Sequence, residues 1–156
     1  MRQRVYVETS VIGAYFDERT DPVSSAQNYW TRLWWDEMRG RYETVISRAV
    51  LDELSHQEFS HSEGALELVR NIARVPIEEE IRRIVRTYIQ ERVMPANPVG
   101  DALHLALASY HKCDYLLTWN CKHIANPNRF RQIRMCNISM GLYVPYLVTP
   151  NQFIGD

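Results

Sequence analysis

Apolar positions in this chain recur at two spacings, and the switches between them mark strands and helices. Arg4-Val5-Tyr6-Val7 is short and β-branched and predicts a strand. Thr9 and Ser10 then cap a short helix through Tyr15 and Phe16. Trp30, Leu33, Trp34 and Met38 fall at 3/4 spacing and predict a helix over 24–39, closed by Gly40. Glu43-Thr44-Val45-Ile46 predicts a second strand, after which Ser47 caps a helix carrying Val50, Leu51, Glu53 and Leu54. Beyond a loop with His56 and His61, the stripe Ala65, Leu68 or Val69, and Ile72 predicts another helix, and 73–77 a short strand. Ile81, Ile84, Val85, Tyr88 and Ile89 define a long amphipathic helix. Its solvated face carries Glu78/Arg82 and Glu79/Arg83 at i,i+4.

Pro95 and Pro98 interrupt that helix. Gly100-Asp101 then opens Ala102-Leu103-His104-Leu105-Ala106-Leu107-Ala108, apolar nearly all round and therefore central. Residues 114–118 predict a strand buried on both faces, as in a parallel sheet. Residues 126–134 read as a loop leading into a helix, and Tyr146-Leu147-Val148-Thr149 as a last strand. Strands alternating with helices predict an α/β fold, a three-layer α/β/α sandwich with a mainly parallel central sheet. No repeat or linker divides the chain, so a single domain over 1–156 is expected.

Composition narrows the function classes. The 156 residues carry 18 Lys+Arg against 19 Asp+Glu, a formal net charge of -1, which excludes a basic nucleic-acid coat but not a local site. No apolar run approaches the roughly 18 residues of a membrane helix, so no membrane association is expected. The first residues contain no apolar signal-peptide core. Cys113, Cys121 and Cys136 are odd in number and unpaired in spacing, which favours reduced thiols and a cytoplasmic location. Cys113 with Cys121-Lys122-His123 fits no common zinc spacing.

The chemistry lies in polar residues at predicted strand ends, where ligands gather in such sheets. Glu8 follows the first strand, Asn120 follows the strand before it, and Asp101 opens the central helix. Glu53 lies on the helix after the second strand. Singly, each has an ordinary reading: Asp101 as an N-cap, Glu53 facing water, Glu8 paired with an arginine, Asn120 in a turn. Together they converge on one end of one sheet, the way oxygen ligands for a hard cation are arranged. His104, three residues after Asp101, is either a core histidine bonded to a backbone carbonyl or a support beside Asp101.

Four segments carry a resemblance to the PIN-domain ribonucleases, in particular VapC-type toxins of type II toxin–antitoxin systems. They are Val5-Tyr6-Val7-Glu8-Thr9-Ser10, Ile46-Ser47 through Leu51-Asp52-Glu53-Leu54, Gly100-Asp101-Ala102-Leu103-His104-Leu105-Ala106-Leu107-Ala108, and Tyr115-Leu116-Leu117-Thr118-Trp119-Asn120. The resemblance implies a Mg2+- or Mn2+-dependent endoribonuclease that cleaves RNA phosphodiester bonds with a metal-activated water, leaving a 5′-phosphate and a 3′-hydroxyl. It places the catalytic and metal-binding positions on Glu8, Glu53, Asp101 and Asn120, with Thr9 and Thr118 as supporting hydroxyls. Glu8 and Asn120 stand where many members of that family have aspartate. That departure motivates an alternative, a weak or inactive PIN-like module that binds RNA or protein. An unrelated α/β phosphoesterase is disfavoured, because no Asp-x-Asp follows the first strand and no glycine-rich phosphate loop is present.

Arg48, Lys122, His123, Arg129, Arg131 and Arg134 are the basic residues near the expected mouth. Phe130 among three arginines suits stacking and phosphate contact, and equally a plain basic helix face. Trp30 and Trp34 suit core packing, and Trp35 with its neighbours suits a dimer or antitoxin surface. The resemblance further implies a homodimer and a small antitoxin protein as partner.

Overall fold

The computed structural model describes residues 2–56, 58–97 and 99–153. Five strands, β1 (Arg4–Val7), β2 (Glu43–Ser47), β3 (Ala73–Val75), β4 (Tyr115–Leu117) and β5 (Tyr146–Val148), form one sheet in the order β3-β2-β1-β4-β5. Every pairing is parallel. Seven α-helices among the described residues complete the expected three-layer α/β/α sandwich: α1 (Thr9–Phe16), α2 (Pro22–Leu33), α3 (Arg48–Leu54), α4 (Ser62–Leu68), α5 (Glu79–Gln90), α6 (Gly100–Tyr110) and α7 (Pro127–Ser139). None is long and apolar enough to cross a membrane.

The short strands are apolar because both of their faces are covered. Val5, Tyr6, Val7, Ile46, Leu116 and Leu117 are fully enclosed. α6 is buried nearly all round, from Ala102 through Ala108 except Leu103, and packs against α5 through the predicted face of Ile81, Ile84, Val85 and Tyr88. The expected pairs on the other face of α5 do not close; Glu78 instead accepts a hydrogen bond from Tyr110 at 3.0 Å. Pro98 lies outside the described residues.

Several local expectations are corrected. The tryptophan helix is α only to Leu33 and continues as a π-helical turn over Trp34–Met38, where the Arg39 N–H reaches Trp34 O. The wider turn lets two consecutive tryptophans face inward. Trp34 packs on Tyr42 and Phe153, while Trp35 is covered by Tyr15, Trp34 and the Arg39 guanidinium and is only 4% exposed. Trp35 therefore belongs to the core and is no interface anchor; Trp30 is the half-exposed one. Ser47 stands before α3 without capping it; its hydroxyl lies 2.7 Å from the Tyr6 hydroxyl. Glu8, rather than Thr9 or Ser10, precedes α1, and Val99 rather than Asp101 precedes α6. α7 does carry a side-chain cap, from Asn126 to the Asn128 N–H. Just past its end, Gly141 has a φ of +69° that lets the Leu142 N–H turn back to Asn137 O.

Candidate functional site

Strand order reverses at β1, which lies between β2 and β4, and the crevice beyond the strand ends at such a point is where open parallel sheets bind ligands. β1 runs straight into Glu8, whose N–H donates to Leu117 O at 3.0 Å. β2 ends at Ser47, and β4 runs into Thr118-Trp119-Asn120. The parallel register therefore delivers three chain segments to one crevice.

Glu8 is 7% exposed. One of its oxygens, Oε1, accepts from Thr118 Oγ1 at 2.6 Å and from the Ser10 hydroxyl. Both hydroxyls are themselves oriented by β4's continuation: Ser10 Oγ accepts from the Trp119 N–H at 2.8 Å, and Thr118 Oγ1 from the Asn120 N–H at 2.9 Å. Glu53, on α3, reaches the same crevice with a side chain 44% exposed. Its Oε1 accepts from Thr9 Oγ1 at 2.6 Å and lies 2.5 Å from His104 Nε2. Burial pushes the Glu53 carboxyl up, but the bonds from His104 and Thr9 outweigh it and hold the group below the ordinary glutamate value. Burial pushes His104 down, and the Glu53 bond with the charges of Glu8, Glu53 and Asp101 outweighs it, so the imidazole sits above its ordinary value.

His104 thus takes neither of its expected partners. Its Nδ1 meets the Tyr6 hydroxyl at 2.7 Å, not a backbone carbonyl, and its Nε2 meets Glu53, not Asp101. α3 packs against α6, which brings the longer Glu53 side chain to the ring.

Asp101 lies in the first turn of α6, where the helix N-terminus favours an anion. Its Oδ1 accepts from Asn120 Nδ2 at 2.9 Å, and its Oδ2 lies 2.8 Å from His123 Nδ1. The Asn120 carbonyl oxygen accepts from the His123 N–H at 3.0 Å, so Asn120 and His123 form one bracket around Asp101.

Among the described residues, no arginine or lysine pairs with Glu8, Glu53 or Asp101; the imidazoles of His104 and His123 contact Glu53 and Asp101. One ligand atom each from Glu8, Glu53 and His104 falls within 4.8 Å of the others. Asp101 is not part of that compact set. The second oxygens of Glu8 and Glu53 make no hydrogen bond to a described residue. Close carboxylates with spare oxygens fit a divalent cation of the hard or borderline kind.

The expected phosphate-binding residues are dispersed. Arg48 pairs with Asp52 in solvent, Arg129 donates to Val93 O at 3.2 Å, and Lys122, Arg131 and Arg134 are exposed. A groove of about 860 Å³ opens beside the acids at Ser10 and Trp119 and continues past Phe16, Phe59 and His61. The cysteines form no cluster: Cys121 is exposed, Cys136 is buried, and burial pushes the Cys113 thiol up to about 12. The sequence pattern does not single out Ser10 or Tyr6 as site residues, and it marks His123 only as a basic residue near the mouth. A hydroxyl two residues after Glu8 and an imidazole three after Asn120 are the faint signals that existed.

A family model described as PIN domain matches residues 5–122. The chain belongs to the PIN-domain family. The PIN match runs from β1 to Lys122, so it contains Glu8, Glu53, Asp101 and Asn120 and leaves out α7 with its arginines. No curated protein matches the chain. The fold is similar to a chain in the crystal structure of VapBC2 from Rickettsia felis bound to a DNA fragment from their promoter. That similarity has a TM-score of 0.55 at 13% identity, over 94% of this chain and 98% of the other.

Proposed function

We propose that this PIN-domain protein is a Mg2+- or Mn2+-dependent endoribonuclease and the VapC-type toxin of a toxin–antitoxin pair. The observation that carries the reading is the convergence of Glu8 and Glu53 within a 4.8 Å set, with no arginine or lysine paired to them among the described residues. Glu8 is buried without a basic side chain paired to it among the described residues; burying an unpaired anion costs on the order of several kcal/mol, and a cation offsets that cost. The likeness in fold to a chain of a VapBC complex supports the toxin assignment. In this reading residues 1–156 act as one unit in the cytoplasm, as a homodimer, with a small antitoxin protein as partner.

Glu8, Glu53 and Asp101 would hold the cation. Asn120 orients Asp101 through its amide, and Ser10, Thr9 and Thr118 hold one oxygen of each glutamate so that the other stays available. A divalent cation bound there supplies Lewis acidity, lowering the pKa of a water and offsetting charge that gathers on the phosphate. The three carboxylates repel RNA in the metal-free protein, so metal and substrate bind together. Arg48, Lys122, Arg129, Arg131 and Arg134 supply phosphate contacts around the crevice.

The test is cleavage of single-stranded and structured RNAs with Mn2+, with Mg2+ and with EDTA, beside Asp101→Ala and Glu53→Ala. Cleavage confined to the metal-loaded wild-type protein is the expected result. Cleavage that survives EDTA or both substitutions contradicts the metal mechanism. A folded wild-type protein that binds RNA without cutting it establishes the alternative, a PIN-like binding module.

A further inference from the structure

One chain of hydrogen bonds runs from inside the sheet to the acids, and a nuclease reading of the crevice leaves it without a role. Tyr6, in the middle of β1, is fully buried, and its hydroxyl lies 2.7 Å from Ser47 Oγ and 2.7 Å from His104 Nδ1. His104, 1% exposed, passes the contact on to Glu53 Oε1 at 2.5 Å. We propose that Ser47, Tyr6 and His104 form a buried relay that positions the Glu53 carboxylate for the cation, with Tyr6 as the central positioning residue. The inference rests on the metal site described above.

Packing alone does not call for these groups. Phenylalanine at position 6 fills the same space, and burying two hydroxyls and an imidazole has value only where each is satisfied. Here all three are satisfied in series, and the series ends on a metal-site carboxylate. Glu53 is also the acid that most needs fixing. It is the most exposed of the three, and its side chain has several rotatable bonds whose freedom must be given up to hold one geometry. Two further contacts share the task. Thr9 grips the same Oε1, and Gly100 leaves room for Oε2, since a Cβ at position 100 would stand 3.1 Å from it. Outer groups that orient a ligand to a metal are worth about 10–100-fold in affinity or activity.

The test uses Tyr6→Phe, which keeps the ring and deletes the hydroxyl, with Ser47→Ala as the second variant. Tyr88→Phe serves as the control, because Tyr88 is another buried tyrosine whose hydroxyl bonds Asn137 and Ser109 away from the acids. Mn2+ affinity is measured without RNA by calorimetry or by the spin resonance of free Mn2+, alongside melting temperature and cleavage. Expected is a loss of about tenfold in Mn2+ affinity for Tyr6→Phe, a smaller loss for Ser47→Ala, and none for Tyr88→Phe. Wild-type affinity in folded Tyr6→Phe and Ser47→Ala overturns the relay while leaving the nuclease reading intact. If the wild-type protein binds no Mn2+, the nuclease reading falls, and the relay is judged on crystals of Tyr6→Phe. A Glu53 carboxylate displaced from its wild-type position upholds it, and an unmoved one overturns it.

Discussion

Glu8 and Glu53 are gripped by hydroxyls from the start of α1 and the end of β4 and by an imidazole on the buried helix α6, whereas Asp101 is gripped by Asn120 and His123 from the loop that follows β4. The first grip is rooted in residues that are almost fully enclosed: Thr118, His104, Ser47 and Tyr6. The second depends on half-exposed side chains between β4 and α7. One half of the crevice is therefore set when the core packs, and the other is set by a surface segment. The glutamate side is therefore the rigid part of the site, and the Asp101 side is where it can be perturbed without touching the fold.

The largest effects follow from removing the carboxylates. Glu53→Ala, Glu8→Ala and Asp101→Ala should each lose more than about 100-fold in RNA cleavage, beyond what loss of an outer support costs. The conservative forms separate the halves. Because Asp101 stands outside the compact ligand set, Glu53→Gln should weaken Mn2+ binding more than Asp101→Asn does. Equal losses in a Mn2+ titration would merge the halves into one. His123→Ala should lower cleavage by about 10–100-fold with little change in melting temperature, since it unbrackets Asp101 from the surface side. A large drop in melting temperature would show that the loop is part of the fold's foundation.

A third effect is smaller and comes from the Glu53–His104 pair in EDTA. Glu53 is held below its ordinary value, so its contribution is present above the unfolded glutamate value and is lost as pH falls through the lowered one. His104 is held above its ordinary value, so its contribution is complete below the unfolded histidine value and is lost as pH rises through the raised one. Melting temperature against pH should therefore peak between the two, and His104→Gln should flatten the alkaline side. An unchanged alkaline limb in that variant would place the pH dependence elsewhere. Smallest is Asn126→Ala, which removes the α7 cap and should cost about 1 kcal/mol in denaturant unfolding while leaving Mn2+ affinity unchanged.

The sheet and its helices were legible because their apolar periodicity is strong. The all-round apolar run of α6 and the alternation of short strands with helices specify a parallel sandwich before any coordinate is known. What stayed illegible was local competition for hydroxyls. Ser47 has the sequence of a cap and spends its hydroxyl on Tyr6, a partner 41 residues away that only the β1–β2 register brings near. The π-helical turn was equally hidden, because its wider turn shifts the face and buries Trp35, which the 3/4-spaced stripe of Trp30, Leu33, Trp34 and Met38 leaves out. At the site, Glu8 and Asn120 stand after strands and Glu53 and Asp101 on helices that follow or lead into them, and that placement is what the sequence pattern offers. Of their supports, the resemblance implies Thr9 and Thr118, whereas the partners of His104 and His123 stay hidden because they lie on elements distant in sequence.

The most direct measurement is a crystal of the wild-type protein soaked in Mn2+ with data collected at the metal's absorption edge. The account predicts an anomalous peak in the crevice within coordination distance of Glu8 and Glu53, lost in the Glu53→Gln crystal. A well-ordered crevice with no peak at a Mn2+ concentration that supports cleavage, or a peak that touches neither glutamate, would contradict it.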